Sequence, residues 1–134
     1  MATEPTTYDL AGQVIGLAMK VHSALGPGFL ESVYQNALVH ELRHSGLGVE
    51  TEVRLNVKYG DVVVGVFDAD ILINKVLMVE NKAVQPLVAA HEVQLVNYLT
   101  ATGLDEGLLL NFGATRLEFK KKYRLYQPAA KPSA

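Results

Sequence analysis

Cysteine is absent from the chain. The protein therefore has no disulfide framework, no thiol nucleophile and no cysteine-ligated zinc or iron–sulfur site. Long apolar runs are absent too, and the first residues lack the basic segment and apolar stretch of a targeting signal. We therefore expect a cytoplasmic protein that does not enter a membrane.

A positive net charge is also missing, because 12 Lys and Arg residues face 14 Asp and Glu residues. Non-specific binding of nucleic acid depends on neutralising phosphates, so strong unaided DNA binding is not predicted. The basic residues nevertheless form one cluster near the C-terminus, at Lys120, Lys121, Lys122 and Arg124. Such a run is more often a solvated edge, and we assign it only a weak contact with a phosphate backbone.

The length and composition are those of one globular domain: 134 residues, 49% hydrophobic and 19% charged. We assign residues 1–126 to this domain. Residues 127–134 are predicted to form a flexible tail.

The spacing of apolar residues predicts three helices and five strands. In chain order these are helices at Leu10–Leu25 and about Phe29–His44, strands at about Glu52–Lys58, Val62–Ile73 and Val76–Val84, a helix at Val88–Thr102, and strands at Gly107–Phe112 and Leu117–Leu125. The first three strands are expected to form an antiparallel meander, and the strand after the third helix to run parallel to one of them. This is an α/β fold with a single mixed sheet flanked by helices. Edge strands in so small a sheet favour a homodimer.

Charged residues interrupt two of the apolar strands, at Asp70, Glu80 and Lys82. Because strand side chains alternate, Glu80 and Lys82 share a face while Asn81 points away, and Asp70 on the preceding strand can approach that face. Two converging carboxylates favour a hard cation such as Mg²⁺ or Mn²⁺, and the lysine could position a water or stabilise charge on a phosphoryl oxygen. A buried ion pair without metal is the structural alternative.

A family resemblance is carried first by the segment Gly28–Tyr34, which reads GFLESVY and resembles the signature of the bacterial and archaeal GxxExxY proteins. The likeness continues through the segments Asp68–Leu72, Val79–Val84, His91–Leu99 and Gly107–Gly113. That family is similar to the PD-(D/E)XK superfamily, most of whose members are Mg²⁺-dependent nucleases. The resemblance implies a restriction-endonuclease-like core with the order α-α-β-β-β-α-β-β.

The resemblance also implies a role for each matching position. Asp70 and Glu80 correspond to metal ligands, Lys82 to the motif lysine, and the peptide carbonyl of Asn81 to a further ligand. Glu31 resembles the helix-borne acidic residue that completes such sites. Gln94 resembles the helical glutamine that follows the motif, and His91 is placed outside the catalytic set.

Two positions depart from the family pattern. Asp68 stands where a basic residue is common, and Asn81 stands where an apolar residue is usual. On a regular strand Asp68 shares the face of Asp70, where it would either add a ligand or repel the other carboxylates. Three functions therefore stay open: a metal-dependent nuclease acting on DNA or RNA, a catalytically inactive module of the same fold, and a hydrolase of small phosphorylated compounds.

Overall fold

The computed structural model describes residues 9–125. Its elements are α1 (Leu10–Leu25), α2 (Glu31–His44), β1 (Val49–Tyr59), β2 (Val62–Ile73), β3 (Leu77–Lys82), α3 (Ala89–Thr102), β4 (Glu106–Asn111) and β5 (Glu118–Tyr123). The predicted order of elements is confirmed. The predicted tail at 127–134 lies outside the described residues. No helix within residues 9–125 has the length and apolar character needed to cross a membrane.

The five strands form one mixed sheet in the order β1-β2-β3-β4-β5. The antiparallel meander of β1, β2 and β3 is confirmed, and so is the parallel pairing of β3 with β4 across α3. β1 begins three residues earlier than its alternation predicts, because Val49–Thr51 pairs with Ile71–Ile73 of β2. That start is set by a strand distant in sequence and not by the local pattern.

Helices cover both faces of the sheet. α1 and α2 pack on one face, where Val14, Tyr34 and Leu38 meet Ile71, Val79 and Leu108. α3 packs on the other face through Leu95 and Leu99, which meet Met78 and Leu109. β4 is buried between these layers, which explains its continuous apolar sequence.

The alternation of side chains along β2 is interrupted at Asp70. Ala69 packs in the α3 layer, whereas Ile71, two residues later, packs in the layer of α1 and α2. On a regular strand these two residues would share a face. Glu52, which lies across from Asp70 on β1, has a left-handed backbone with φ of 49°. This irregularity in both strands leaves Asp70 at the crossover between the two helical layers.

Tyr34 closes the corner between α1 and α2. Its hydroxyl donates to the carbonyl of Gly26 and accepts from the N–H of Phe29. Its ring is fully buried and stacks on Phe112, with the ring centroids 4.8 Å apart. The tyrosine of the GFLESVY segment therefore has a structural role: it holds the loop that leads into α2 and so places Glu31 at the start of that helix.

We expect Tyr34→Phe to lower the free energy of unfolding by about 1–3 kcal/mol, because the N–H of Phe29 and the carbonyl of Gly26 would lose their partner in a partly buried corner. Urea denaturation measures the change. Tyr59→Phe is the matched control, since that ring is 79% exposed. Equal effects of the two substitutions would contradict the role assigned to the Tyr34 hydroxyl.

Candidate active site

The centre of the site is a fork in the sheet. The pairing between β2 and β3 ends at Ile71 and Val79, and the next residue on each strand is Asp70 and Glu80. Beyond the fork the N–H of Asn81 donates to the Asp70 carboxylate, with 2.7 Å from N to Oδ2. A side chain thus replaces the backbone acceptor that the separating strand withdraws.

Glu80 is buried beside this carboxylate. Its Oε1 is enclosed and has no hydrogen-bond partner within residues 9–125. Burial, the negative charge of Asp70 and a hydrogen bond that the protonated carboxyl shares with Asp70 raise the pKa of Glu80 to about 8, while Lys82 acts in the opposite direction. The ionised carboxylate has no donor for its Oε1 in the described part of the chain. Near neutral pH the side chain is therefore largely protonated when no cation is present.

Lys82 and Tyr98 complete the face of the sheet toward α3. Lys82 is half-buried at the end of β3, and strand alternation puts it on the face of Glu80. Tyr98 of α3 stacks on Phe67 with the ring centroids 3.7 Å apart. Burial and the charge of Glu80 raise the pKa of Tyr98, so its hydroxyl belongs to the same electrostatic environment.

The carboxylates fit a divalent cation, although they do not form a complete protein cage. Within residues 9–125 no group of three or more Asp, Glu or His side chains converges closely enough to hold a metal ion. Asp70 and Glu80 lie together and supply hard oxygen donors, one of them the unpartnered Oε1. Mg²⁺ is commonly bound by one or two carboxylates and water, so this pair suffices as its protein anchor.

Glu31 lies across a groove from Asp70. The groove, of about 450 Å³, runs between α2 and β1 and includes both residues in its lining. Glu31 is exposed at the first position of α2. Glu31 and Asp70 thus line the same groove, but Glu31 does not form a three-carboxylate group with Asp70 and Glu80.

Gln35 is a site residue that sequence reasoning missed. Its Nε2 donates to the carbonyl of Asp70 at 3.3 Å and to Glu52 at 3.4 Å, and its Oε1 accepts from the Asn81 side chain at 3.4 Å. These bonds are long and individually weak, yet they connect α2 to both arms of the fork. The signal was its place four residues after Glu31, which puts the two side chains on one face of α2.

Asn111, at the end of β4, fixes the segment that follows Lys82. Its Oδ1 accepts from the N–H groups of Val84 and Gly113 at 3.0 and 3.1 Å, and its Nδ2 donates to Glu118 at 2.6 Å. The side chain is fully buried. The sequence signal for this role was a polar residue directly after three leucines, because a polar side chain buried with them must find hydrogen-bond partners.

His91 and Gln94, the two α3 residues singled out from the sequence, have different positions. His91 accepts the N–H of Val88 on its Nδ1 at 3.2 Å and so caps the start of the helix. Gln94 is exposed one turn before Tyr98 and makes no side-chain hydrogen bond within the described part of the chain. Within residues 9–125 neither side chain is hydrogen-bonded to Asp70 or Glu80.

Asp68 pairs with a basic residue of β1 and not with Glu80. Its Oδ1 lies 3.1 Å from Nε of Arg54 on the neighbouring strand, and it is exposed. Phe67 and Ala69 pack in the α3 layer, so Asp68 between them points away from the face of Glu80.

The basic cluster does not form one surface. Lys121 approaches Asp9 next to α1, whereas Lys122 pairs with Glu92 of α3, at 3.6 and 2.6 Å respectively. Arg124 pairs with Asp105 at 2.7 Å. Strand alternation divides the lysines between the two faces of the sheet, which weakens the cluster as a contact for a phosphate backbone.

The fold and the site together define an α/β protein of the nuclease-like class. The chain belongs to the PD-(D/E)XK nuclease superfamily, whose family model matches residues 8–122. It is also similar to a solved structure described as the crystal structure of SSO0001, with a TM-score of 0.55 and 21% identity. The likeness covers 73% of this chain and 52% of that chain, so this chain spans about half the other's length and the likeness concerns the fold alone. No match was found among curated proteins.

Without divalent cations, we expect stability to fall as pH rises from 4.5 to about 8. The unfolded chain releases the Glu80 proton first, so the native state binds more protons throughout this window. The free energy of unfolding should fall by on the order of a few kcal/mol over this window, a figure reduced because the side chain is partly exposed. Glu80→Gln should remove this component, as followed by urea unfolding at several pH values in chelator.

Glu50→Gln, which removes an exposed carboxylate from β1, controls for the change in net charge. If Glu80→Gln keeps the full pH dependence of the wild type, the buried carboxyl is not its source.

Proposed function

We propose that the protein is a metal-dependent nuclease of the GxxExxY type that hydrolyses phosphodiester bonds of nucleic acid. The observation that carries the proposal is the unpartnered, buried Oε1 of Glu80 beside Asp70 at the fork of the sheet. Leaving a buried polar atom without a partner is costly, and sites of this kind are often functional. Membership of the superfamily supports the same reaction class.

Asp70 and Glu80 would hold Mg²⁺ or Mn²⁺, with the Asn81 carbonyl as a further ligand. The cation would supply Lewis acidity toward a phosphoryl oxygen and lower the pKa of a bound water. The hydrogen bond from the Asn81 N–H to one oxygen of Asp70 supports this role, because it orients the carboxylate. Glu80 would become ionised on binding, since a nearby positive charge favours the carboxylate.

Lys82 would act from the α3 face of the sheet, and Glu31 from the groove on the other side of Asp70. The ammonium of Lys82 can orient the attacking water and stabilise the charge that develops on the phosphoryl oxygens. In the reaction the water oxygen would bond to phosphorus while the bond to the leaving oxygen breaks. The water would lose one proton to solvent, and the leaving oxygen would take one proton from solvent. Glu31 would assist from the groove that it shares with Asp70, and Gln94 would approach the substrate from α3.

A second candidate is a hydrolase of small phosphorylated compounds. The groove beside Asp70 has about 450 Å³, which is the size of a small-molecule site. The net charge of −2 and the division of the basic cluster between two faces disfavour a long polyanion more than a small one. Cleavage of model phosphodiesters, compared with oligonucleotides, separates the two substrate classes.

We expect Mn²⁺ or Mg²⁺ to bind the wild type with the release of roughly one proton near neutral pH, because binding ionises Glu80. Calorimetric titrations in buffers with different ionisation enthalpies measure the release. Glu80→Gln should abolish both the binding and the proton release, and Glu50→Gln should leave both unchanged. Cleavage of labelled single- and double-stranded DNA and RNA is then measured on the same samples.

Cation binding that needs Glu80, with cleavage that follows it, supports the nuclease and identifies its substrate. Absence of binding at millimolar cation contradicts the proposal and leaves a non-catalytic binding module. Binding without cleavage of nucleic acid, but with cleavage of a small phosphodiester, supports the second candidate.

A further inference from the structure

β1 forms one edge of the sheet and pairs only with β2 on its other side. Between Val53 and Val57 this pairing follows an unbroken register, bounded by the left-handed Glu52 and by an irregularity between Val57 and Lys58. The outward N–H and carbonyl groups of this regular segment have no strand partner within residues 9–125. Such an edge is a template for another strand.

The opposite edge is built differently. β5 carries Lys120, Lys121 and Lys122 in succession, and like charges of this kind discourage an edge from pairing with its own copy. β1 instead carries Glu50 and Glu52 toward its start and Arg54 and Lys58 toward its end. An antiparallel copy of β1 would place the acidic part of one strand beside the basic part of the other.

The outer part of the β1–β2 hairpin is apolar and uncovered. Tyr59, Val62, Val64 and Val66 are 79%, 62%, 61% and 55% exposed. Clusters of exposed large apolar side chains in soluble proteins mark surfaces that contact a partner.

We propose that β1 pairs antiparallel with β1 of a second copy of this chain, in a two-fold dimer centred on Leu55. In this register Val53 lies opposite Val57, and Arg54 opposite Asn56, in both directions. Just outside the paired segment, Glu52 of each copy meets Lys58 of the other. The dimer would continue two five-stranded sheets into one, and it does not depend on the proposed nuclease activity.

Neighbouring registers are less favourable. With the two-fold axis at Arg54, the Arg54 side chains of the two copies lie opposite each other. With the axis at Asn56, Arg54 of each copy lies opposite Lys58 of the other. Both registers bring like charges together. An axis between residues would place half-buried Val53, Leu55 and Val57 beside exposed polar side chains, because a shift by one residue exchanges the faces. Charge and face together therefore select Leu55 as the centre.

The absence of native cysteine allows a direct test of this register. Directly opposed residues in antiparallel strands have Cα atoms about 4.5–5.5 Å apart, within the range of a disulfide. We expect an equimolar mixture of Arg54→Cys and Asn56→Cys chains to cross-link under mild oxidation much more than either variant alone. Mixtures of Thr51→Cys with Asn56→Cys, and Val93→Cys on α3 alone, are the controls, read on non-reducing gels.

Charge reversal provides an independent readout. Sedimentation velocity should show a wild-type dimer. Lys58→Glu should raise its dissociation constant by roughly tenfold, because two symmetric ion pairs become repulsive. Glu52→Lys alone should act likewise, whereas mixing the two single variants should restore the dimer as a heterodimer. Circular dichroism establishes that each variant is folded.

A wild type that remains monomeric over the micromolar range at low salt overturns the proposal. The proposal is also overturned if the mixture of Arg54→Cys and Asn56→Cys chains cross-links no more than either variant alone. The same holds if the charge reversals leave the dissociation constant of the dimer unchanged. A dimer formed through another surface would give either of the last two results.

Discussion

The hydrogen bond from the Asn81 N–H to the Asp70 carboxylate holds the structure together where its sheet divides. β2 leaves β3 at this point to continue with β1, so a backbone donor in the interior loses its strand partner. A carboxylate at the fork satisfies that donor and is itself oriented by it. The chemical group of the site is thus also a structural part of the sheet.

Whereas Asp70 stabilises the sheet, the burial of Glu80 destabilises it. Its carboxyl is buried beside Asp70 and has an oxygen without a partner in the described structure, which opposes ionisation and favours binding of a cation. Such local cost is tolerated because Val79, Leu108 and Leu109 form a core on both faces around it. The packed core therefore offsets the cost of burying this carboxyl.

Much of the fold could be predicted from local patterns. The bounds of α1 and β2 agree with the prediction at both ends, because apolar periodicity and the turns that flank them are properties of neighbouring residues. The predicted approach of Asp70 to Glu80 also agrees with the geometry, since hairpin pairing and alternation determine it. The extension of β1 to Val49 and the change of faces at Asp70 depend on contacts between strands, and no local pattern contains them.

The sequence by itself determined the elements, their order, and which charged residues stand in apolar strands. Only the tertiary structure decided which of those residues are neighbours: it placed Glu31 across a groove, paired Asp68 with Arg54, and brought Gln35 to the fork. The physical reason is that alternation and periodicity describe one element at a time. Burial, pKa and hydrogen bonding depend on the elements that pack against it.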